Sequence, residues 1–195
     1  MRQIIVVGGG AAGMMAAVAA AEAGAAVTLL EKNEKLGKKI YITGKGRCNL
    51  TNAAPMREVQ AQVVSNPRFL YSAFRALTNE DVMRFFERAG CPLKTERGER
   101  VFPVSDHASD VIRALEQEMQ AKGVRVRLNT EVRDLLFSGE AEARSVTGVL
   151  LENGDKLSAD AVILATGGLS YPATGSTGDG YRFAEAAGMT LTERY

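Results

Sequence analysis

The segment Gly8, Gly9, Gly10, Ala11, Ala12 and Gly13 is the first whose residue types and spacing can do chemistry. Gly8, Gly10 and Gly13 fit the glycine spacing of a nucleotide-binding turn, and each glycine meets a separate demand. Gly8 permits a sharp turn, Gly10 lets backbone approach a pyrophosphate, and Gly13 lets the following helix pack closely on its strands. Ala11 and Ala12 then open that helix, where the backbone dipole favours phosphate. Glu31 stands about 20 residues further on, where a carboxylate accepts hydrogen bonds from ribose hydroxyls. Such a carboxylate repels a 2′-phosphate, so a ribose with free hydroxyls is expected. The pattern by itself leaves FAD and NAD both open.

A second chemistry-bearing stretch runs from Gly37 to Asn52 and holds Lys38, Thr43, Gly44, Gly46, Arg47, Cys48 and Asn49. It belongs to a polar, basic and glycine-bearing segment, Asn33 to Asn52, that reads as an extended loop with one short helical turn. A loop of that length is uncommon in a compact domain unless it binds something. Arg47 has the fork to pair with a phosphate or a substrate carboxylate, or to serve its own structure. Cys48 has no CxxC partner, and the single histidine, His107, is remote in sequence, so the thiol reads as packed beside a ligand or as reactive. Cys91, between Gly90 and Pro92, reads as a small apolar filler, and His107 as presented to solvent. A third stretch, Ala165, Thr166, Gly167 and Gly168, ends an apolar run. Gly175 to Gly180 follows, with Gly178 and Asp179 at a helix start that Asp179 is expected to cap.

These segments need a scaffold, and the apolar patterning supplies one. Ile4 to Val7 reads as a buried strand, Ala11 to Ala23 as a helix ended near Gly24, and Val27 to Leu30 as a second strand, together a βαβ unit. The parallel sheet is expected to contain Arg2 to Val7, Ala26 to Leu30, Val124 to Leu128 and Asp160 to Leu164, covered on both faces, with the first strand between the second and the last. Val132 to Phe137 is a further strand, and Asn153 and Gly154 mark a hairpin in a small antiparallel layer. Helices are expected over Phe69 to Ala76, Asn79 to Ala89, about Ser109 to Lys122, and Tyr181 to Ala187.

A formal charge of +1 leaves no basic footprint for nucleic acid. Two cysteines make no disulfide framework, so a reducing cytoplasm is expected. The uncharged run from Ile4 to Ala21 approaches the length of a membrane span, but its glycines divide it into strand and helix. No metal-ligand pattern is legible. The sequence leaves the oligomeric state open.

The chain resembles the HI0933-like (YhiN-type) family of bacterial NAD(P)/FAD-dependent oxidoreductases, within the glutathione-reductase-like superfamily. The resemblance rests on Gly8 to Gly13, Glu31 and Lys32, Gly44 to Asn52, Arg100 to Pro103 with Ser105, Ala165 to Gly168 with Tyr171 and Pro172, and Gly175 to Gly180. It implies a Rossmann-like α/β fold that binds FAD, with NAD(P)H as an electron donor and a small-molecule substrate. It also implies cofactor contacts from Gly8, Gly10, Ala11, Ala12, Gly13, Glu31, Lys32, Lys38, Thr43, Gly44, Gly46, Arg47, Cys48, Asn49, the backbone at Val132, Ala165, Thr166, Gly167, Gly178 and Asp179. Residues 1–188 would then form the N-terminal part of the FAD domain. Within it, 33–110 would be a cofactor-side loop and helical segment and 130–158 a β-meander or hairpin. Residues 189–195 would begin an inserted substrate domain, and without that domain flavin affinity and turnover would be reduced.

Overall fold

In the computed structural model, which describes residues 1–139 and 144–192, strand β1 (Gln3–Val7) turns into helix α1 (Ala11–Glu22) and returns as β2 (Ala26–Leu30). Next come α2 (Lys38–Ile42), β3 (Thr51–Asn52), α3 (Met56–Ala61), α4 (Tyr71–Ala76), α5 (Asn79–Arg88), β4 (Leu93–Glu96), β5 (Arg100–Pro103) and α6 (Ala108–Ala121). The chain closes with β6 (Arg125–Arg127), β7 (Val132–Ser138), β8 (Ser145–Leu151), β9 (Lys156–Ser158), β10 (Ala161–Leu164) and α7 (Asp179–Ala186). Two compact units result: Met1–Lys39 with Glu116–Tyr195, and Ile40–Leu115.

The first unit is built on a four-stranded sheet in the order β10-β1-β2-β6, every pair parallel. The expected placement of β1 between β2 and β10 holds. Side chains alternate across β1. Ile5 and Val7 join a core cluster with Leu30, Val132, Leu135, Val149, Leu151 and Phe183, while Val6 between them is fully buried. Helix α1, with Met14, Ala17 and Val18 buried, contacts β1, β2 and β10. The antiparallel sheet β7-β8-β9 supplies Val132, Leu135, Val149 and Leu151 to the core cluster. Its β8–β9 turn carries Gly154 at φ +91°, as the Asn153 and Gly154 pair leads one to expect.

The second unit contains a small antiparallel sheet in the order β3-β5-β4, together with α3, α4 and α5. Helix α5 starts at a capping box. Thr78 Oγ1 accepts from Asp81 N–H, and Asp81 accepts in turn from Thr78 N–H. Asn79, the first residue of the helix, is buried and donates to the carbonyls of Asn52 and Ala54. Within 33–52 the short helical turn expected there is α2, five residues long, followed by a tight turn over Thr43–Gly46. Strands β4 and β5 escape the pattern, being four residues each, and Pro103 ends β5. Residues 189–192 carry no regular element, and 193–195, part of the expected start of an inserted domain, lie outside the described residues.

Candidate functional site

The glycine turn leaves the C-terminal end of β1, between the strands on either side, β2 and β10. From β1 the chain proceeds to one neighbour and later returns to the other, and ligands of open parallel sheets bind at such a reversal. The turn is anchored to both neighbours: Gly8 N–H donates to Leu30 O at 2.8 Å, and Ala165 N–H donates to Val7 O at 2.8 Å. Gly8 has φ +108°, and a Cβ there would stand 2.5 Å from Ala165 O. A Cβ at Gly13 would stand 1.8 Å from Gly8 O, and one at Gly9 would stand 2.3 Å from Leu36 Cδ2. The protein's own backbone therefore requires Gly8 and Gly13, whereas at Gly9 the nearest atom is the end of the Leu36 side chain.

Gly10 is different. Its φ of −82° and ψ of −173° suit any residue, and no protein atom lies within 4 Å of the position of a Cβ. Among the glycines whose surroundings are described, it alone combines an ordinary backbone with open space. Gly10 is also the N-cap of α1, which has no side-chain cap and no acidic residue in its first turn. Ala11 and Ala12 are exposed. Among the described residues no side chain caps the first turn, and the Glu31 carboxylate meets the chain one residue earlier, at Gly9 N–H. This is a cradle for an anion that needs close backbone approach, and it fits a pyrophosphate.

Glu31 follows β2 and is buried at 7% exposure. Its Oε2 accepts from Gly9 N–H at 2.6 Å, and its Oε1 accepts from Asn33 N–H at 2.8 Å and Asn33 Nδ2 at 2.6 Å. Lys38 Nζ donates to Asn33 Oδ1 at 3.2 Å and pairs with Glu34 at 3.3 Å. Lys32 turns elsewhere, donating to Thr177 Oγ1 at 2.7 Å and Asp179 Oδ2 at 2.8 Å.

The stretches 165–168 and 175–180 pack on one another through their glycines. A Cβ at Gly167 would stand 2.7 Å from Ser176 Oγ, one at Gly178 2.7 Å from Leu169 Cδ2, and one at Gly180 2.7 Å from Thr166 Oγ1. Asp179 does not cap α7 as expected. Gly178, at φ +85°, is the N-cap, and the Asp179 carboxylate is drawn to Lys32 and Thr177 instead. Val132 has its side chain in the core and pairs with Leu151, leaving only its backbone for a ligand.

In the second unit, Thr43, Gly44, Gly46, Arg47, Cys48 and Asn49 form one turn. Gly44, Lys45, Gly46 and Cys48 all have positive φ, and a Cβ at Gly44 would stand 2.9 Å from Asn49 N. Arg47 donates to Glu96 and, at 2.7 Å, to Asp106, and its guanidinium lies 4.1 Å from the centre of the Phe102 ring. Lys94 Nζ reaches Asp106 at 2.6 Å. These two carboxylates occupy the fork that the sequence offers to a phosphate or substrate. Cys48 is buried, and burial pushes its thiol above the ordinary value against a smaller opposing hydrogen bond from Thr43. Burial likewise pushes Cys91 up to about 11, helped by the charges of Asp110 and Cys48. Neither thiol is activated. His107 is exposed. Among the described residues no group of side chains could hold a metal ion, and no helix is long and apolar enough to cross a membrane.

Sequence patterning overlooks Asn33 and Gly9. Their signals are short: an asparagine two residues after the expected carboxylate, suited to a local side-chain bond, and a glycine between the two that the turn motif uses.

A parallel sheet with an uncapped helix start at its reversal point and a buried carboxylate after the second strand defines a Rossmann-type domain. The chain belongs to the HI0933-like family, whose Rossmann-domain model matches residues 2–194. It is 36% identical over 168 residues to the 3-dehydro-bile acid delta(4,6)-reductase of Clostridium scindens, covering 86% of this chain and 39% of that protein. It is 33% identical over 170 residues to the ribosomal RNA dihydrouridine synthase of Escherichia coli, covering 87% and 40%. The chain therefore spans well under half the length of these curated relatives. Among solved structures, the open conformation of a flavocytochrome c3 fumarate reductase superposes with a TM-score of 0.67 at 25% identity, over 95% of this chain and 40% of that one. The 3-ketosteroid-delta4-(5alpha)-dehydrogenase of Rhodococcus jostii shares the fold, with a TM-score of 0.64 at 17% identity, over 87% and 47%.

Proposed function

We propose that this chain binds the ADP half of FAD at the turn between β1 and α1, as the N-terminal part of an FAD-dependent oxidoreductase. The carrying observation is Gly10, a glycine that neither backbone conformation nor any protein neighbour explains, at the uncapped start of α1. A ligand backbone lying against it supplies the missing reason. When bound, the flavin supplies the hydride and electron chemistry. The chain's own residues do the holding. The N–H groups of Ala11, Ala12 and Gly13 meet the pyrophosphate, Glu31 accepts from a ribose hydroxyl, and the backbone at Val132 serves adenine. Lys38, with Ala165 to Gly167, Gly178 and Asp179 of the same unit, flanks the path toward the flavin.

The names of both curated relatives describe reduction of a carbon–carbon double bond conjugated with a carbonyl, in a dehydro-bile acid and in a uracil ring. Fumarate carries the same feature. We take that group as the substrate class and NADH or NADPH as the electron donor. The near-balanced charge favours a small-molecule carrier, and the two free buried cysteines suit a bacterial cytoplasm.

Purification of the wild-type chain and Gly10→Val, followed by release and identification of any bound flavin, tests the site. FAD in the wild type and its loss from Gly10→Val are expected. Equal FAD content in the two, or a colourless wild type that binds NAD alone, overturns the proposal. Anaerobic bleaching of the flavin by NADH or NADPH, then reoxidation by an enone steroid or by uracil-containing RNA, tests donor and substrate class.

A further inference from the structure

We infer that Asn33 is a positioning residue that holds the Glu31 carboxylate in the orientation that reads the ribose of a bound adenine nucleotide. The inference rests on the nucleotide site proposed above and deepens it.

Three hydrogen bonds hold the amide of Asn33. Nδ2 gives one hydrogen to Glu31 Oε1 at 2.6 Å and the other to Thr174 O at 3.3 Å, while Oδ1 accepts from Lys38 Nζ at 3.2 Å. An ammonium cannot accept and a carboxylate cannot donate, so Lys38 on one side and Glu31 on the other fix which way round the amide lies. Asn33 N–H also donates to Glu31 Oε1. The residue therefore satisfies one carboxylate oxygen completely from its own backbone and side chain. The other oxygen, Oε2, takes one donor, Gly9 N–H in the glycine turn.

This division has a chemical meaning. A carboxylate offers about four acceptor positions, and three are taken, two on Oε1 and one on Oε2. The remaining position lies on Oε2, the oxygen already tied to the glycine turn, and a ribose hydroxyl is the donor proposed to fill it. Without Asn33, Oε1 would compete for the same hydroxyl and the side chain would be free to rotate away from Gly9. Close packing fixes the asparagine in turn, since a Cβ at Gly175 would stand 2.6 Å from Nδ2. Asn33 thus joins the carboxylate after β2 to the segment that precedes α7.

Titration calorimetry with ADP and with 2′,3′-dideoxy-ADP on the wild type, Asn33→Ala, Asn33→Asp and Gly10→Val separates positioning from a merely structural role. The wild type is expected to prefer ADP by about tenfold, the scale of one hydrogen bond to a charged group. Asn33→Ala is expected to bring that ratio to about twofold or less while still binding dideoxy-ADP like the wild type. Asn33→Asp, which keeps the volume and the Lys38 contact but loses the amide donor, is expected to do the same and serves if the alanine variant fails to fold. Gly10→Val should weaken both ligands equally. Retention of the tenfold preference in a folded Asn33 variant, or equal weakening of both ligands by it, overturns the positioning role and leaves the nucleotide site standing. A wild type that does not distinguish the two ligands overturns Glu31 as the ribose reader, and Asn33 with it.

Discussion

Lys32 Nζ lies 2.8 Å from Asp179 Oδ2, so the residue beside the buried Glu31 is ion-paired to the first turn of α7. Burial alone would raise the Asp179 carboxyl. Hydrogen bonds from Lys32 and Thr177, with the charges of Lys32 and Arg182, outweigh that and hold it below its ordinary value. A carboxyl lowered in the folded state contributes stability that is complete above its unfolded value and lost as pH falls through the folded one. Asp179→Asn should therefore melt below the wild type near pH 7, with the difference closing below about pH 3. Thermal melts across that range check it, and a constant gap would show that the pair does not act through ionisation.

Glycine substitutions should divide by cause. Gly13→Ala places a methyl group 1.8 Å from the Gly8 carbonyl, a backbone atom with nowhere to go. It should cost about 3 kcal/mol of stability. Gly10→Val meets no protein atom and should change stability by about 1 kcal/mol or less. Urea unfolding of the cofactor-free protein separates the two, and a Gly10→Val loss as large as that of Gly13→Ala would mean that the open space is needed by the protein itself.

Arg47 should behave as the centre of a charge network. Its guanidinium is held charged by Glu96 and Asp106, and it lowers both carboxyls in return, Asp106 together with Lys94. Arg47→Lys keeps the charge but loses the two-pronged contact and the stacking on Phe102. A lower melting temperature at neutral pH is expected, with recovery toward the wild type as acid protonates the carboxylates. Differential scanning calorimetry at pH 7 and near pH 3 reads the change.

The cysteines should be silent in the folded state. With Cys91 raised to about 11 and Cys48 raised in the same direction, both stay protonated at neutral pH. Alkylation by iodoacetamide at pH 8 should be slow until denaturant is added. Because a raised thiol favours the folded state only while protonated, the stability tied to burial should fall as pH rises from about 9 toward 11. Fast labelling of Cys48 in native protein would identify it as a reactive thiol after all.

The parallel sheet was legible because β1, β2 and β10 are near-continuous apolar runs and β6 alternates arginine with apolar residues. The glycine turn was legible because its steric demands are local. What escaped was set by contacts remote in sequence. Asp179 looks like a helix cap until Lys32 takes its carboxylate, and Arg47 looks free for a ligand until Glu96 and Asp106 meet it. Strands β4 and β5 are four residues each, too short for alternation to declare itself, and their turn uses a left-handed Glu99 that no local preference announces.

Strand β6 closes one end of the sheet with only three residues, and Arg125 and Arg127 stand on either side of its half-exposed Val126. A strand at the end of a sheet is a template on which a second molecule can add, and flanking guanidinium groups make two such strands repel. At this edge, repulsion between arginines works against addition of a second copy of the strand. It weakens as added salt shortens the Debye length from about 10 Å at 0.1 M to about 3 Å at 1 M.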